Sequence, residues 1–117
     1  MHAAPELPLV GAATPMAQVL IEMSSKRFGC VGVTDDGGAL AGIITDGDLR
    51  RHMAPDLLDK PAAAVMTRDP LTVAPDTLAV EALALMNGRA VTTLFAIEGG
   101  RPLGIVHIHD LLRAGLR

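Results

Sequence analysis

The sequence predicts a mixed α/β (α+β) fold built from two tandem β-α-β-β-α repeats that pack as a pseudo-two-fold pair. Three observations predict it. An apolar helical pattern occurs twice, each copy is followed by two short apolar runs separated by a Gly-bearing turn, and the two copies match at an offset of about sixty-three residues. In 117 residues, either half alone buries a modest fraction of its surface and would be marginal. Two small halves therefore need each other, and face-to-face pairing of their sheets is the simplest solution.

The elements follow in order. Leu9-Val10 and Leu71-Thr72-Val73 are short leading strands. Met16, Val19, Leu20 and Met23 in the first copy, and Ala79, Ala82, Leu83 and Met86 in the second, keep the i, i+3, i+4, i+7 spacing of an amphipathic helix. Thr14 and Pro15 read as an N-cap and first helical position. Basic turns, Ser25-Lys26-Arg27 and Asn87-Gly88-Arg89, are expected after these helices. Then come central strands, Cys30–Thr34 and Thr93–Ile97, and hairpin turns, Asp35-Asp36-Gly37-Gly38 and Glu98-Gly99-Gly100-Arg101. The second hairpin loop reads as two residues shorter. Return strands at 40–44 and 103–106 lead to final helices that begin near Asp46 and His109. Residues 52–67 join the halves, with a helical turn at 56–59 that Pro61 breaks.

Composition excludes several classes. Half the residues are apolar and a fifth are charged, as in a folded domain. The net charge is -3, there is no basic run, and Phe28 and Phe95 are the only aromatic residues, so no nucleic-acid partner is expected. The single cysteine, Cys30, rules out an internal disulfide and fits a reducing, cytoplasmic setting. Residues 1–9 lack the basic and apolar regions of a secretory signal. The longest uncharged stretch, 7–21, is broken by Pro8, Gly11 and Pro15, so no membrane span is expected.

Gly42-Ile43-Ile44-Thr45-Asp46-Gly47-Asp48 and Val65-Met66-Thr67-Arg68-Asp69-Pro70 resemble the motifs of CBS domains, and the resemblance runs from about Leu7 to Gly115. Thr45-Asp46-Gly47-Asp48-Leu49-Arg50-Arg51 and His107-Ile108-His109-Asp110-Leu111-Leu112 are similar, more narrowly, to the CBS region of arabinose 5-phosphate isomerases of the sugar isomerase family. The resemblance implies a domain order: residues 1–8 as a linker from a missing isomerase domain, 9–53 as the first CBS domain, 54–68 as an inter-repeat linker, and 69–117 as the second. It also implies a regulatory module that binds a nucleotide in the clefts between its halves, with no catalytic residue of its own. In such enzymes the catalytic domain interconverts ribulose 5-phosphate and arabinose 5-phosphate on the way to Kdo. CMP-Kdo is thus the favoured feedback ligand and AMP or ATP the next. The alternative is a purely structural module that dimerises and orients the catalytic domains. Homodimerisation is expected on either reading.

Thr45-x-x-Asp48 supports two readings. One is a helix capping box. The other places Asp48 on a ribose diol, with Thr45 and the helix start near phosphate. His107-x-x-Asp110 is the second copy's equivalent, and an imidazole is not expected to reproduce a hydroxyl cap. His107 and His109 with Asp110 imitate a metal site, but hydrogen bonding to an anionic ligand is the expectation and no metal is invoked. Lys26, Arg27, Arg68 and Arg89 are the candidate phosphate or carboxylate partners. Thr92, Thr93 and Cys30 fall on the strand that the CBS pattern places at the cleft, where Cys30 reads as core rather than as a nucleophile.

Overall fold

The computed structural model describes residues 7–26, 28–77, 79–89 and 91–113. It divides into two compact units, one of Pro8–Pro70 and one of Leu71 onward that also takes in Leu7. Both have the mixed architecture expected from the sequence.

In the first unit, β1 (Leu9–Gly11) leads into α1 (Met16–Lys26), and β2 (Cys30–Thr34) and β3 (Leu40–Thr45) form a hairpin. Then come α2 (Asp46–Arg51), a 3-10 turn at Leu57–Asp59, α3 (Ala62–Val65) and β4 (Thr67–Arg68). The sheet order is β1-β2-β3-β4. β1 lies parallel to β2, with Val10 opposite Val33, because a helix joins them. β3 runs antiparallel to both β2 and β4. Met16, Val19 and Met23, predicted from their helical spacing, are buried against Val31, Val33 and Ile44.

The second unit repeats the plan with β5 (Thr72–Val73), α4 (Ala79–Arg89), β6 (Thr93–Glu98), β7 (Arg101–His107) and α5 (Ile108–Arg113). Its sheet order is β5-β6-β7, with β5 parallel to β6. Ala82, Leu83 and Met86 are buried with Leu94, Ala96, Val106 and Leu111.

The structure corrects four details. First, the supposed basic turns are helical: α1 runs through Lys26 and α4 through Arg89. Nothing at Ser25 or Asn87 interrupts the helical ladder, and Gly88 is tolerated in a last turn. The first helix instead gives way to Gly29, whose φ of 77° needs a glycine. Second, Thr14 does not cap α1. Its hydroxyl accepts the Gly11 N–H at 3.1 Å, and the Pro15 carbonyl begins the helix by accepting the N–H groups of Gln18 and Val19. Third, the second hairpin differs by more in its loop and by less overall. Residues 35–39 connect β2 and β3, whereas only Gly99 and Gly100 connect β6 and β7. Both of these glycines have positive φ, 59° and 82°, the tight turn that matches strand twist. The longer strands recover most of the difference. Fourth, the joining segment is more structured than the expected turn at 56–59. Leu57, Ala62 and Val65 enter the first unit's core, and β4 pairs with β3.

The expected linker at residues 1–8 falls outside the described residues for 1–6. Among the described residues, no helix is long and apolar enough to cross a membrane.

Candidate functional site

β3 ends at Thr45, whose backbone is still extended (φ -123°, ψ 176°), and α2 starts at Asp46. That geometry puts Asp48 at the third helical position, where a carboxylate reaches back to the cap residue. Asp48 Oδ2 accepts the Thr45 N–H at 2.9 Å and the Thr45 hydroxyl at 3.2 Å. Oδ1 accepts Arg51 Nη2 at 2.5 Å and the Thr67 hydroxyl, from β4, at 2.6 Å. A carboxylate has about four acceptor positions, and here four protein donors occupy them. Asp48 is 2% exposed. Burial pushes its carboxyl up, but the Thr67 hydroxyl, the Thr45 N–H, Arg51 and the Thr45 hydroxyl together hold it below the usual carboxylate value.

The same clip recurs in the second unit. Asp110 Oδ2 accepts the His107 N–H at 3.0 Å, and Oδ1 accepts Arg113 Nη2 at 2.6 Å. Two differences matter. The Asp110 side chain is 18% exposed, against 3% for Asp48. And His107 replaces Thr45 as the cap. Its Nδ1 accepts the backbone N–H of His109 at 3.1 Å, so an imidazole does take over the capping role, contrary to the sequence expectation. The ring manages this because α5 begins one residue before His109, bringing that N–H within reach of Nδ1. The accepting nitrogen must be unprotonated, so the neutral ring carries its proton on Nε2. Burial pushes His107 below the usual imidazole value, His109 and Arg113 push the same way, and Asp110 opposes them. The His107 and His109 rings lie 4.4 Å apart.

The other candidates fall into three groups. Cys30 is buried in β2 directly opposite Thr45, and Thr93 starts β6 directly opposite His107. Thr92 is exposed, and its carbonyl accepts the Ile108 N–H at 2.8 Å, tying the start of α5 to the start of β6. Lys26 and Arg89 end α1 and α4, and Arg68 is exposed on β4 opposite Gly42. Arg27 lies outside the described residues. Sequence reading assigned no role to Arg51, Arg113 or Thr67. The two arginines were within reach of it, since Asp-x-x-Arg recurs at i, i+3 at the start of both final helices. Among the described residues, no group of three His, Cys, Asp or Glu side chains could hold a metal ion.

These paired clips at equivalent points of two β-α-β-β-α units fit what the comparisons find. The family model of the CBS domain matches residues 3–55 and again 62–117. The chain belongs to the CBS domain family. The arabinose 5-phosphate isomerase KdsD of Yersinia pestis is 43% identical to this CBS pair over 118 residues, 99% of this chain and 36% of that protein. KdsD of Escherichia coli K12 is 42% identical with the same coverage. The CBS pair thus spans about a third of the length of the curated relatives it matches. Among solved structures, CBSX2 in complex with AMP superposes with a TM-score of 0.84 at 24% identity, covering 98% of this chain and 91% of that one. An uncharacterized conserved protein from Pyrococcus horikoshii gives 0.84 at 28% identity, covering 92% and 49%.

Proposed function

We propose that this CBS pair is the regulatory module of an arabinose 5-phosphate isomerase polypeptide. It senses a nucleotide or nucleotide sugar and biases the isomerase to which it is joined. The observation that carries the reading is the 43% identity to KdsD across 99% of this chain. CMP-Kdo is the favoured ligand, and AMP or ATP comes next. The isomerase chemistry belongs to the part of such a polypeptide outside these two CBS copies.

Of the two acids, Asp110 is the better ribose acceptor. Asp48 is nearly inaccessible and surrounded by four donors of its own unit. Asp110 is more exposed and sits beside an Arg113 side chain that is 74% exposed. A carboxylate for a diol and a guanidinium for a phosphate or sugar carboxylate then lie together, with His109 exposed nearby. Lys26, Arg68 and Arg89 are further cation candidates, and Thr92 and Thr93 flank the α5 start.

A second reading has an observation in its favour. The complete internal satisfaction of Asp48 is what a purely structural element needs, and it supports a CBS pair that only dimerises and orients catalytic domains. Both readings include a homodimer, to be checked by sedimentation.

Titration with AMP, ATP, CMP and CMP-Kdo under a thermal-shift readout separates them. A specific ligand at a hundredfold its dissociation constant stabilises the fold by about 2.7 kcal/mol. A saturable shift with one of the four is expected. No shift with any of them overturns the regulatory reading in favour of the structural one.

A further inference from the structure

β7 ends at His107 and α5 starts at Ile108, so His107 stands at the cap of a six-residue helix. The N–H groups at a helix start have no partners inside the helix. Here three of them find partners elsewhere. The His107 N–H donates to Asp110 Oδ2 at 3.0 Å, the Ile108 N–H to the Thr92 carbonyl at 2.8 Å, and the His109 N–H to His107 Nδ1 at 3.1 Å. The carboxylate and the carbonyl keep their lone pairs throughout the range in which an imidazole titrates. Nδ1 does not: a proton there removes the lone pair that holds the His109 N–H.

The charges that act on His107 all come from α5. Burial disfavours a charge on the ring, His109 and Arg113 add to that, and Asp110 opposes them. β6 places Thr93 opposite it, which carries no charge, and the charged residues of α4, Glu81 and Arg89, are exposed. The first unit is a control within the same chain. Thr45 stands where His107 does, and Gly47 where His109 does. Its cap is a hydroxyl, which does not titrate in this range.

On the reading that Asp110 holds a ribose, we infer that His107 is a positioning residue that couples the second unit's ligand affinity to pH. Its neutral ring holds the start of α5 and keeps Asp110 in position for a ribose diol, and its protonated ring takes Asp110 for itself. A solvent proton added at Nδ1 turns an acceptor into a donor. Two N–H groups then face each other across 3.1 Å, and the ring turns away. The carboxylate at hand for the imidazolium is Asp110, whose Oδ2 already accepts the backbone N–H of the same residue. A carboxylate paired with a cation on its own chain is a weaker acceptor for a neutral hydroxyl. Binding therefore belongs to the neutral ring, and affinity falls with the fraction of rings that are neutral. The first unit, with Thr45 at this place, has no such switch.

Two measurements on the whole chain test this. An NMR titration follows the His107 ring and the His109 amide together. Calorimetry measures the affinity for AMP and for CMP-Kdo across the imidazole range, pH 7.5 to about 5, in the wild type and in His107→Asn. Asn places an oxygen near the position of Nδ1, is a good cap and does not titrate. The phosphate of AMP titrates in the same range, but equally for both proteins, so the ratio of their affinities isolates the ring. The His109 amide should shift with the midpoint of the His107 ring. Relative to His107→Asn, the wild type should lose about tenfold in affinity for each pH unit below that midpoint. His107→Thr, which copies the first unit, should remove the same slope and serves if the Asn variant does not fold. Wild type and variants that weaken in parallel overturn the inference, as does a His109 amide that does not respond to the titration of His107. Failure of both probes to bind the wild type at pH 7.5 is a different result: it overturns the ligand reading itself, and the inference with it.

Discussion

Thr67→Val tests the link between β4 and the buried acid. The substitution keeps the shape of the side chain and removes one hydroxyl from Asp48 Oδ1, which Thr67 engages at 2.6 Å. A hydrogen bond to a charged group contributes about 1.5–3 kcal/mol. Arg51 remains on the same oxygen and is 63% exposed, so it offers partial compensation and the lower figure of about 1.5 kcal/mol applies. The same loss raises the Asp48 carboxyl back toward its ordinary value. At about 4 °C per kcal/mol for a chain of this size, the melting midpoint falls by about 6 °C. The pH dependence has a definite sign. The folded carboxyl titrates below its ordinary 3.8, so its stabilisation is fully present above that value and is lost as pH falls through the folded pKa. The gap between wild type and Thr67→Val should therefore be full at pH 7 and close as Asp48 protonates. Thr67→Ser, which keeps the hydroxyl, should retain most of the stability. Urea and thermal denaturation of the three proteins at pH 7 and at acid pH measure all of this. Equal stability of the Val variant at pH 7 refutes the reasoning, as does a Ser variant as unstable as the Val variant, or a gap that does not change with pH.

His107→Thr should copy the first unit's cap and remove an acid sensitivity. The wild-type imidazole, titrating below 6.5, contributes stability that is present above 6.5 and lost as pH falls through its folded pKa. The variant should show a flatter profile between pH 7.5 and 5.5, and an NMR titration should place the His107 midpoint below 6.5; a midpoint at or above that value counts against the cap. Gly42→Ala should destabilise the first unit by about 1–3 kcal/mol. A β-carbon there would lie 2.7 Å from the Thr67 carbonyl and 2.8 Å from the Met66 sulfur, so it separates β3 from β4. Its cost should be less than additive with Thr67→Val, because both loosen β4 from Asp48. An unchanged urea midpoint would show that the close approach carries no weight.

The local patterns were legible, and the longer-range ones were not. Met16, Val19 and Met23 announce a buried helix face by spacing alone, and Thr45-x-x-Asp48 announces a helix start. Both readings concern residues only a few positions apart. Thr67 reaches Asp48 across nineteen residues, and nothing local to either residue signals the pairing. α3 is four residues long and β4 two, too short for either to show a period. Sequence reading therefore saw Pro61 as a helix breaker. In the structure it precedes α3 and forms an isolated bridge with Pro15. The His107 cap was missed because hydroxyls and carboxylates dominate helix caps, and ring-nitrogen capping depends on where the helix begins. That Asp48 is buried and bonded to Thr67 of β4 while Asp110 is half-buried could not be read from two motifs that look alike.

We propose that the CBS pair senses a ligand and that its second unit holds the ribose. Isothermal titration calorimetry of the wild type, Asp48→Asn and Asp110→Asn against CMP-Kdo, with AMP and ATP alongside, tests it most directly. Asn preserves the shape and can still accept the cap N–H, so folding should survive in both variants. A lost hydrogen bond to a charged group, about 1.5–3 kcal/mol, converts to about ten- to a hundredfold in affinity. Saturable binding to the wild type, weakened by that factor in Asp110→Asn and unchanged in Asp48→Asn, is the predicted result. Binding that is unchanged in Asp110→Asn, or weakened only in Asp48→Asn, would contradict the account.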